Sequence, residues 1–242
     1  MNTTDKKITL WPASGRGTAN YGWLQAIYSF SFANWHDPNK IHFGALRVLN
    51  DDTVAPGMGF GQHPHNDMEI VTIPLEGKLK HRDSTGSEGT IGVGDIQVMS
   101  AGTGVEHSEM NASATDSVKV LQTWIFPRER GVTPRYAEKN FPVLEETDRF
   151  HLVVSPDGRD GSLWIHQDAF YNLGKFTADT SVDWKPQIEG NGLYIFVIEG
   201  VIEVDGNILR KRDALSVEKF NSLSVNIQRA SYVLLIEVPM LF

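Results

Sequence analysis

The sequence predicts an all-β protein made of many short strands, with a duplication inside the chain. Three observations predict it. Runs rich in β-branched and aromatic residues recur along the 242 residues, and Gly, Pro, Asn or Asp ends each run within a short distance. No long amphipathic helical pattern interrupts them. Short strands with turns at regular intervals are what a β-sandwich or barrel requires.

The first segment with a helical option is Tyr21 to Phe32, which could accommodate one or two turns. Val71 to Leu75 reads as strand, and the following strand closes on the turn Asp83-Ser84-Thr85-Gly86. Gly94-Asp95 turns into the apolar run Ile96 to Met99, which ends at Gly102-Thr103-Gly104. Lys119 to Phe126 is a strand that follows the break at Asn111, and His151 to Ser155 is one that closes on Pro156-Asp157-Gly158. Leu193 to Glu199 leads through a second strand to Asp205-Gly206-Asn207, and Tyr232 to Val238 ends the series.

Ile70-Val-Thr-Ile-Pro-Leu-Glu-Gly77 aligns with Leu193-Tyr-Ile-Phe-Val-Ile-Glu-Gly200, and both run into a second strand and an Asp- and Gly-bearing turn. The duplication predicts two domains, residues 1–140 and 141–242, with the boundary between the Pro127 to Val143 region and Pro156-Asp157-Gly158. A chain of this length suits two domains of about 100–150 residues each. The C-terminal tail is expected to cross back to the first domain.

Thirty acidic against 22 basic residues give a net charge of −8, which argues against a nucleic-acid groove. With no cysteine, disulfides, thiolate-bound zinc and thiol nucleophiles are excluded. The opening Met-Asn-Thr-Thr-Asp-Lys-Lys lacks the apolar core of a secretory signal, and no run approaches the roughly 18 apolar residues of a membrane helix. A cytoplasmic protein with no membrane association is the expectation.

Two short motifs carry the chemistry: His63-Pro64-His65 and His107-Ser108-Glu109. Alternate residues of a strand share a face, so each motif presents two ligands side by side. Together they make a cup of three imidazoles and a carboxylate, suited to Fe(II), Mn, Ni, Cu or Zn with open positions for substrate. Eight histidines would produce a His-x-His by chance in roughly a quarter of such chains. The frame around the motif improves on chance: Gly57, Gly59 and Gly61 precede it at alternate positions, where close backbone approach is possible. The second half lacks the ligands, because the repeat places Pro186 opposite His63 and Ile188 opposite His65, and Leu223 to Ile227 contains no His-x-Glu. His36, His42, His81, His151 and His166 have no paired partner in sequence and read as structural or solvated. Trp124 is a candidate wall of the cavity.

Gly57-x5-His63-x-His65-x3-Glu69 and Gly104-x2-His107-x3-Asn111 resemble the two cupin motifs, although the second lacks the expected Pro and lies farther from Gly94. Tyr21-Gly-Trp-Leu24, Phe30-Ser-Phe-Ala-Asn34, Asp37-Pro38, His63-Pro-His-Asn-Asp-Met-Glu69, Ser100-Ala-Gly-Thr-Gly104, Pro156-Asp-Gly-Arg-Asp-Gly-Ser162 and His166-Gln-Asp168 resemble the pirin family. The match is closest to its bacterial members described as quercetin 2,3-dioxygenases. The resemblance implies two tandem cupin barrels of jelly-roll type, with one divalent metal in the N-terminal barrel, Fe(II) first among the candidates. It implies His63, His65, His107 and Glu109 as ligands. It leaves Glu69 beside the ligands, orienting an imidazole through its free N–H.

The implied activity is opening of the heterocyclic ring of a flavonol such as quercetin by O2 with loss of carbon monoxide, Glu109 taking the substrate's proton. The competing class is a metal-dependent regulatory or protein-interaction factor, as eukaryotic pirins are described. A cupin isomerase, or a sensor of another enolisable ligand, is the third.

Overall fold

The computed structural model describes residues 6–242. Among them the chain forms twenty strands and three short 3-10 helices. The first twelve strands are β1 (Lys7–Trp11), β2 (Gly17–Asn20), β3 (Leu24–Tyr28), β4 (Leu46–Val54), β5 (Gly59–His65), β6 (Glu69–Glu76), β7 (Lys78–Asp83), β8 (Glu88–Gly92), β9 (Asp95–Ser100), β10 (Val105–Asn111), β11 (Val118–Ile125) and β12 (Arg135–Asn140). The rest are β13 (His151–Ser155), β14 (Leu163–Trp164), β15 (Phe170–Phe176), β16 (Thr180–Trp184), β17 (Gly192–Val204), β18 (Asn207–Arg210), β19 (Ala214–Glu218) and β20 (Leu223–Val238). No described helix is long and apolar enough to cross a membrane.

The helical option at Tyr21 to Phe32 is not taken. Leu24, Ala26 and Tyr28 are buried and alternate with exposed Gln25 and half-buried Ile27, so β3 follows the two-residue period of a strand between β2 and β4.

Two compact units form, and neither is a continuous run of sequence. One comprises Gly17–Phe141 with Leu163–Gln167; the other comprises the chain up to Arg16, Pro142–Ser162 and Asp168–Phe242. A division at 1–140 and 141–242 therefore needs correction at two places. β1 pairs with β19 in the second unit, from Lys7 opposite Glu218 to Trp11 opposite Ala214, and so covers what would otherwise be an open sheet edge. Leu163–Gln167 joins the first unit, where the Arg128 N–H donates to the His166 carbonyl and Gln167 Nε2 to the Phe126 carbonyl. The crossing expected of the C-terminal tail is thus made at the other end of the chain; after β20, Leu241 and Phe242 are exposed.

The first unit consists of two antiparallel sheets, ordered β12-β9-β6-β11-β4-β3-β2 and β5-β10-β7-β8. Two apolar clusters fill the space between them: Leu24, Ala26, Tyr28, Val54, Leu79, Ile91, Val118 and Val120 in one, Ile70, Met99, Ala101 and Val105 in the other. The polar residues of the metal motifs touch the first through Phe60 against His63 and the second through Trp124 against His65.

In the second unit the sheet runs β1-β19-β17-β20-β15-β13, with β16 on β20 and β18 on β17. The long strands β17 and β20 bend where their register shifts, around Val197 to Ile202. Gly200 lies at this bend with φ +96°, and a Cβ there would stand 2.2 Å from Ser231 Oγ. Its counterpart in the repeat, Gly77, has φ +71° and links β6 to β7. The duplication visible in sequence is therefore also a shared bend.

The three glycines ahead of His63 differ in what they do. Gly57 turns the chain at φ +66°, Gly61 has open space around it, and Gly59 faces β10 so closely that a Cβ would lie 2.2 Å from the Glu109 carbonyl oxygen. Replacing Gly59 by Ala should push β5 off β10 and cost about 1–3 kcal/mol. Gly61→Ala should stay within about 0.5 kcal/mol of the parent. Urea unfolding of both variants checks the pair; equal stability would show that the approach of the two strands is not constrained here.

Candidate metal centre

β5 and β10 are neighbours, and His63 lies directly opposite His107. The register shifts between His107 and Glu109, so Glu109 stands opposite Phe60; such a bulge re-aims a side chain relative to its strand. On β10 the buried residues are Val105, His107, Glu109 and Asn111, which alternate with half-buried or exposed ones.

The three imidazoles pack closely. Ring centroids are 5.0 Å apart for His63 and His65, 4.4 Å for His63 and His107, and 4.8 Å for His65 and His107. Their ligand atoms lie within 4.8 Å of one another, and a second group with the same spread joins His107 to Glu109 and His81.

Hydrogen bonds define which atoms are free. His63 Nδ1 lies 2.7 Å from the Gly61 carbonyl oxygen, an acceptor only, so Nδ1 carries the proton and Nε2 a lone pair. His65 Nε2, His107 Nε2 and Glu109 Oε1 are buried and have no hydrogen-bond partner. Buried polar atoms are normally paired, and several unpaired acceptors in one group suit a cation. Burial, reinforced by His63, lowers the His65 pKa to about 4; burial and the neighbouring histidines lower that of His107 to about 2. Both rings are therefore neutral at pH 7, as metal ligation requires. The donor set of imidazole nitrogens and one carboxylate fits a first-row divalent ion.

Glu109 is held from behind. Gln122 Nε2 donates to Glu109 Oε2 at 2.7 Å, and Trp124 Nε1 donates to Gln122 Oε1 at 3.1 Å. Burial pushes the Glu109 carboxyl above the usual range, against the opposing effect of the Gln122 bond. A cavity of about 160 Å³ borders Glu109, His63 and Gln122, with Phe32, Phe60 and Trp124 as its apolar walls and Asn50 and Asp52 also lining it. A wider opening of about 470 Å³ reaches His65 from the side of Pro64, Asn66 and Gly104.

The pirin family model matches residues 12–125, and a model described as the quercetinase C-terminal cupin domain matches residues 152–238. A curated protein of Escherichia coli strain K12 named quercetin 2,3-dioxygenase is 43% identical over 96% of this chain and 99% of its own length. The chain belongs to the pirin family. A pirin-like protein of Caulobacter vibrioides is 38% identical over 86% of this chain and 89% of its own length. The crystal structure of the E. coli bacterial pirin YhhW in complex with nickel(II) superposes with a TM-score of 0.91 at 41% identity, covering 96% of this chain and 99% of that one. The two units are thus the N- and C-terminal cupin domains of a pirin.

Of the residues singled out in sequence, this pirin brings His63, His65, His107 and Glu109 together, and Trp124 does line the cavity. Glu69 lies elsewhere. Its carboxylate accepts from Ser100 Oγ at 2.7 Å and from the His166 backbone N–H, and the positive charge of Arg135 acts on it. The reason is parity: Thr72 on β6 meets Gln122 beside Glu109, and Glu69, an odd number of residues away, points to the other face. Glu69 orients none of the three imidazoles.

His81 is the residue the sequence reading missed. It is fully buried, with its ring centroid 5.2 Å from that of His107. A signal existed, since Lys78 to Asp83 alternates charged and buried positions and puts His81 on the face of Leu79. Gln122 could be found only once β11 was paired with β6 and β4.

Burial raises the Glu69 pKa to about 7, against the lowering effect of the Ser100 and His166 hydrogen bonds. The folded state then holds this proton more tightly than the unfolded state does. Stability associated with Glu69 is complete at acid pH and is lost as pH rises through about 7. Glu69→Gln should remove that loss, so its melting temperature should gain on the parent's between pH 5 and 8. Parallel melting curves across that range check it; a constant offset would mean that Glu69 stays ionised in the fold.

Proposed function

We propose that this pirin is a metal-dependent dioxygenase of the quercetin 2,3-dioxygenase type, acting on a flavonol-like substrate and O2. The observation that carries the reading is Glu109, a buried carboxylate with raised proton affinity and an unpaired oxygen, grouped with His107 and lining one cavity with His63. The name borne by the E. coli relative over nearly the whole chain supports the same class.

The residues that would hold the metal are His63, His65, His107 and Glu109. Fe(II) is the proposed ion, with Ni, Cu, Mn or Zn as exchangeable alternatives, since nitrogen and oxygen donors discriminate weakly among them. Bound there, a divalent ion supplies Lewis acidity that lowers the pKa of a substrate hydroxyl.

The protein's part is proton transfer and enclosure. Glu109 takes the proton of the flavonol 3-hydroxyl, while Gln122 stays on Oε2 and keeps the carboxylate from rotating. Phe32, Phe60 and Trp124 offer an apolar slot for a flat ring and exclude water from it. The flavonolate is electron-rich enough to react with O2 without an external reductant. Both oxygen atoms enter the products, one ring carbon leaves as carbon monoxide, and the remainder is a depside.

Glu109→Gln keeps the size and one carbonyl oxygen but removes charge and base. It should retain much of its metal and lose about 10²–10⁴-fold in turnover. His63→Ala should lose metal and activity together. The measurement is flavonol loss and carbon monoxide release in air, per metal found by elemental analysis. Full activity per metal in Glu109→Gln would remove Glu109 as the base. Tight quercetin binding without turnover in the parent would favour the regulatory class instead.

A further inference from the structure

We propose that the C-terminal cupin domain holds a second binding site, a cavity lined by Asn172 and Trp184 that takes a small aromatic acid. Every residue of its lining belongs to that domain's compact unit, and none is read as a metal ligand. The site is therefore independent of the activity proposed for the other domain.

The cavity has a volume of about 390 Å³, room enough for a small ring compound. Strand parity explains its polar lining. On β15, Asn172 precedes Phe176 by an even number of residues and lies opposite Leu235 of β20, and both neighbours belong to the apolar cluster of this barrel. Asn172 is thus a polar side chain on a face otherwise given to hydrocarbon. Trp184 ends β16 opposite Leu223 of the same cluster.

Two N–H donors of this lining are unsatisfied. Asn172 Nδ2 and Trp184 Nε1 are buried without a hydrogen-bond partner, on residues only 5% and 8% exposed. Both nitrogens donate and cannot accept, so what satisfies them is an acceptor oxygen. An unpaired buried donor destabilises a fold, and an apolar residue at either place would avoid that cost. The rest of the lining says what carries the oxygen. Phe150 meets Trp184 edge-to-face at 5.7 Å and Phe176 at 4.8 Å, which makes an aromatic wall. Arg149 also borders the cavity, and its ion pair with Glu146 is exposed on both sides. Such a pair contributes little, so the guanidinium is free to turn to an entering carboxylate. Asp160 borders the cavity too and repels a second acid group. A ring bearing one carboxylate matches the donors, the wall and the charges together.

Benzoate is the probe, followed at the Trp184 indole N–H by nitrogen–proton NMR of the full chain, before and after treatment with a chelator. The resonance, assigned by its contacts with the Phe150 ring, should shift saturably and equally in both preparations. Acetate, which lacks the ring, and benzylamine, which lacks the acceptor oxygen, should each bind at least about tenfold more weakly. Asn172→Leu should weaken benzoate binding about tenfold, the loss of one hydrogen bond. It should also raise the melting temperature, because hydrocarbon replaces an unpaired donor. No shift with benzoate, a shift that disappears with the chelator, or equal binding of acetate or benzylamine would each overturn the site. So would unchanged benzoate affinity in Asn172→Leu, or a lower melting temperature, which would make the amide a structural member of the barrel. The three probes on the parent decide the matter even if the variant fails to fold.

Discussion

The site depends on the pairing of β5 with β10. Antiparallel register places His63 against His107, and the two-residue period of β10 puts Glu109 on the face of His107. The pairing concentrates acceptors that water would otherwise satisfy. A buried acceptor without a partner costs on the order of 1–3 kcal/mol, and this group has three besides the lone pair on His63. Apolar burial on both sides offsets that cost, since a fully buried Ile, Leu or Val contributes about 1.5–3 kcal/mol. A bound cation would supply the partner that these acceptors lack.

The second domain shows what the same architecture does without ligands. The positions opposite His63 and His65 in the repeat are Pro186 and Ile188, in the non-strand segment that precedes β17. The buried carboxylate of Glu237 accepts there from the Gln187 backbone N–H at 2.8 and 2.9 Å, from Ile188 N–H at 3.0 Å and from Asn191 Nδ2 at 3.1 Å. A place that holds imidazoles in one barrel is fastened by its own backbone in the other. The interior of the second barrel is correspondingly apolar, from Phe176 through Leu235.

What could be read from the sequence was local. Strand period, turn residues and the two x-spaced ligand pairs depend on neighbours within a few positions, and the Glu-Gly repeat marked a bend that both domains keep. What escaped depended on pairing across the chain. β1 joins a sheet more than 200 residues away because β19 offers an edge, which no local pattern announces. Gln122 reaches Glu109 only after three strands are aligned. His81 is the exception: its alternation with charged residues is visible in the sequence, but a lone histidine has no x-spaced partner to mark it.

Two carboxylates, Glu69 and Glu109, are fully or almost fully buried, and burial raises the proton affinity of both. Composition, burial and titration alone would not tell which of them stands beside the imidazoles. Strand parity does. Glu109 shares a face with His107 on β10, whereas Glu69 shares its face of β6 with Val71 and Ile73 and pairs across to Ser100. Because side chains alternate, one residue of register decides whether a carboxylate meets a metal group or a serine. The bulge opposite Glu109 lies in β5, where Gly61 and Gln62 together face Ser108, and it brings Phe60 into the cavity beside His63, so an apolar wall of the centre rests on an irregularity in a single strand.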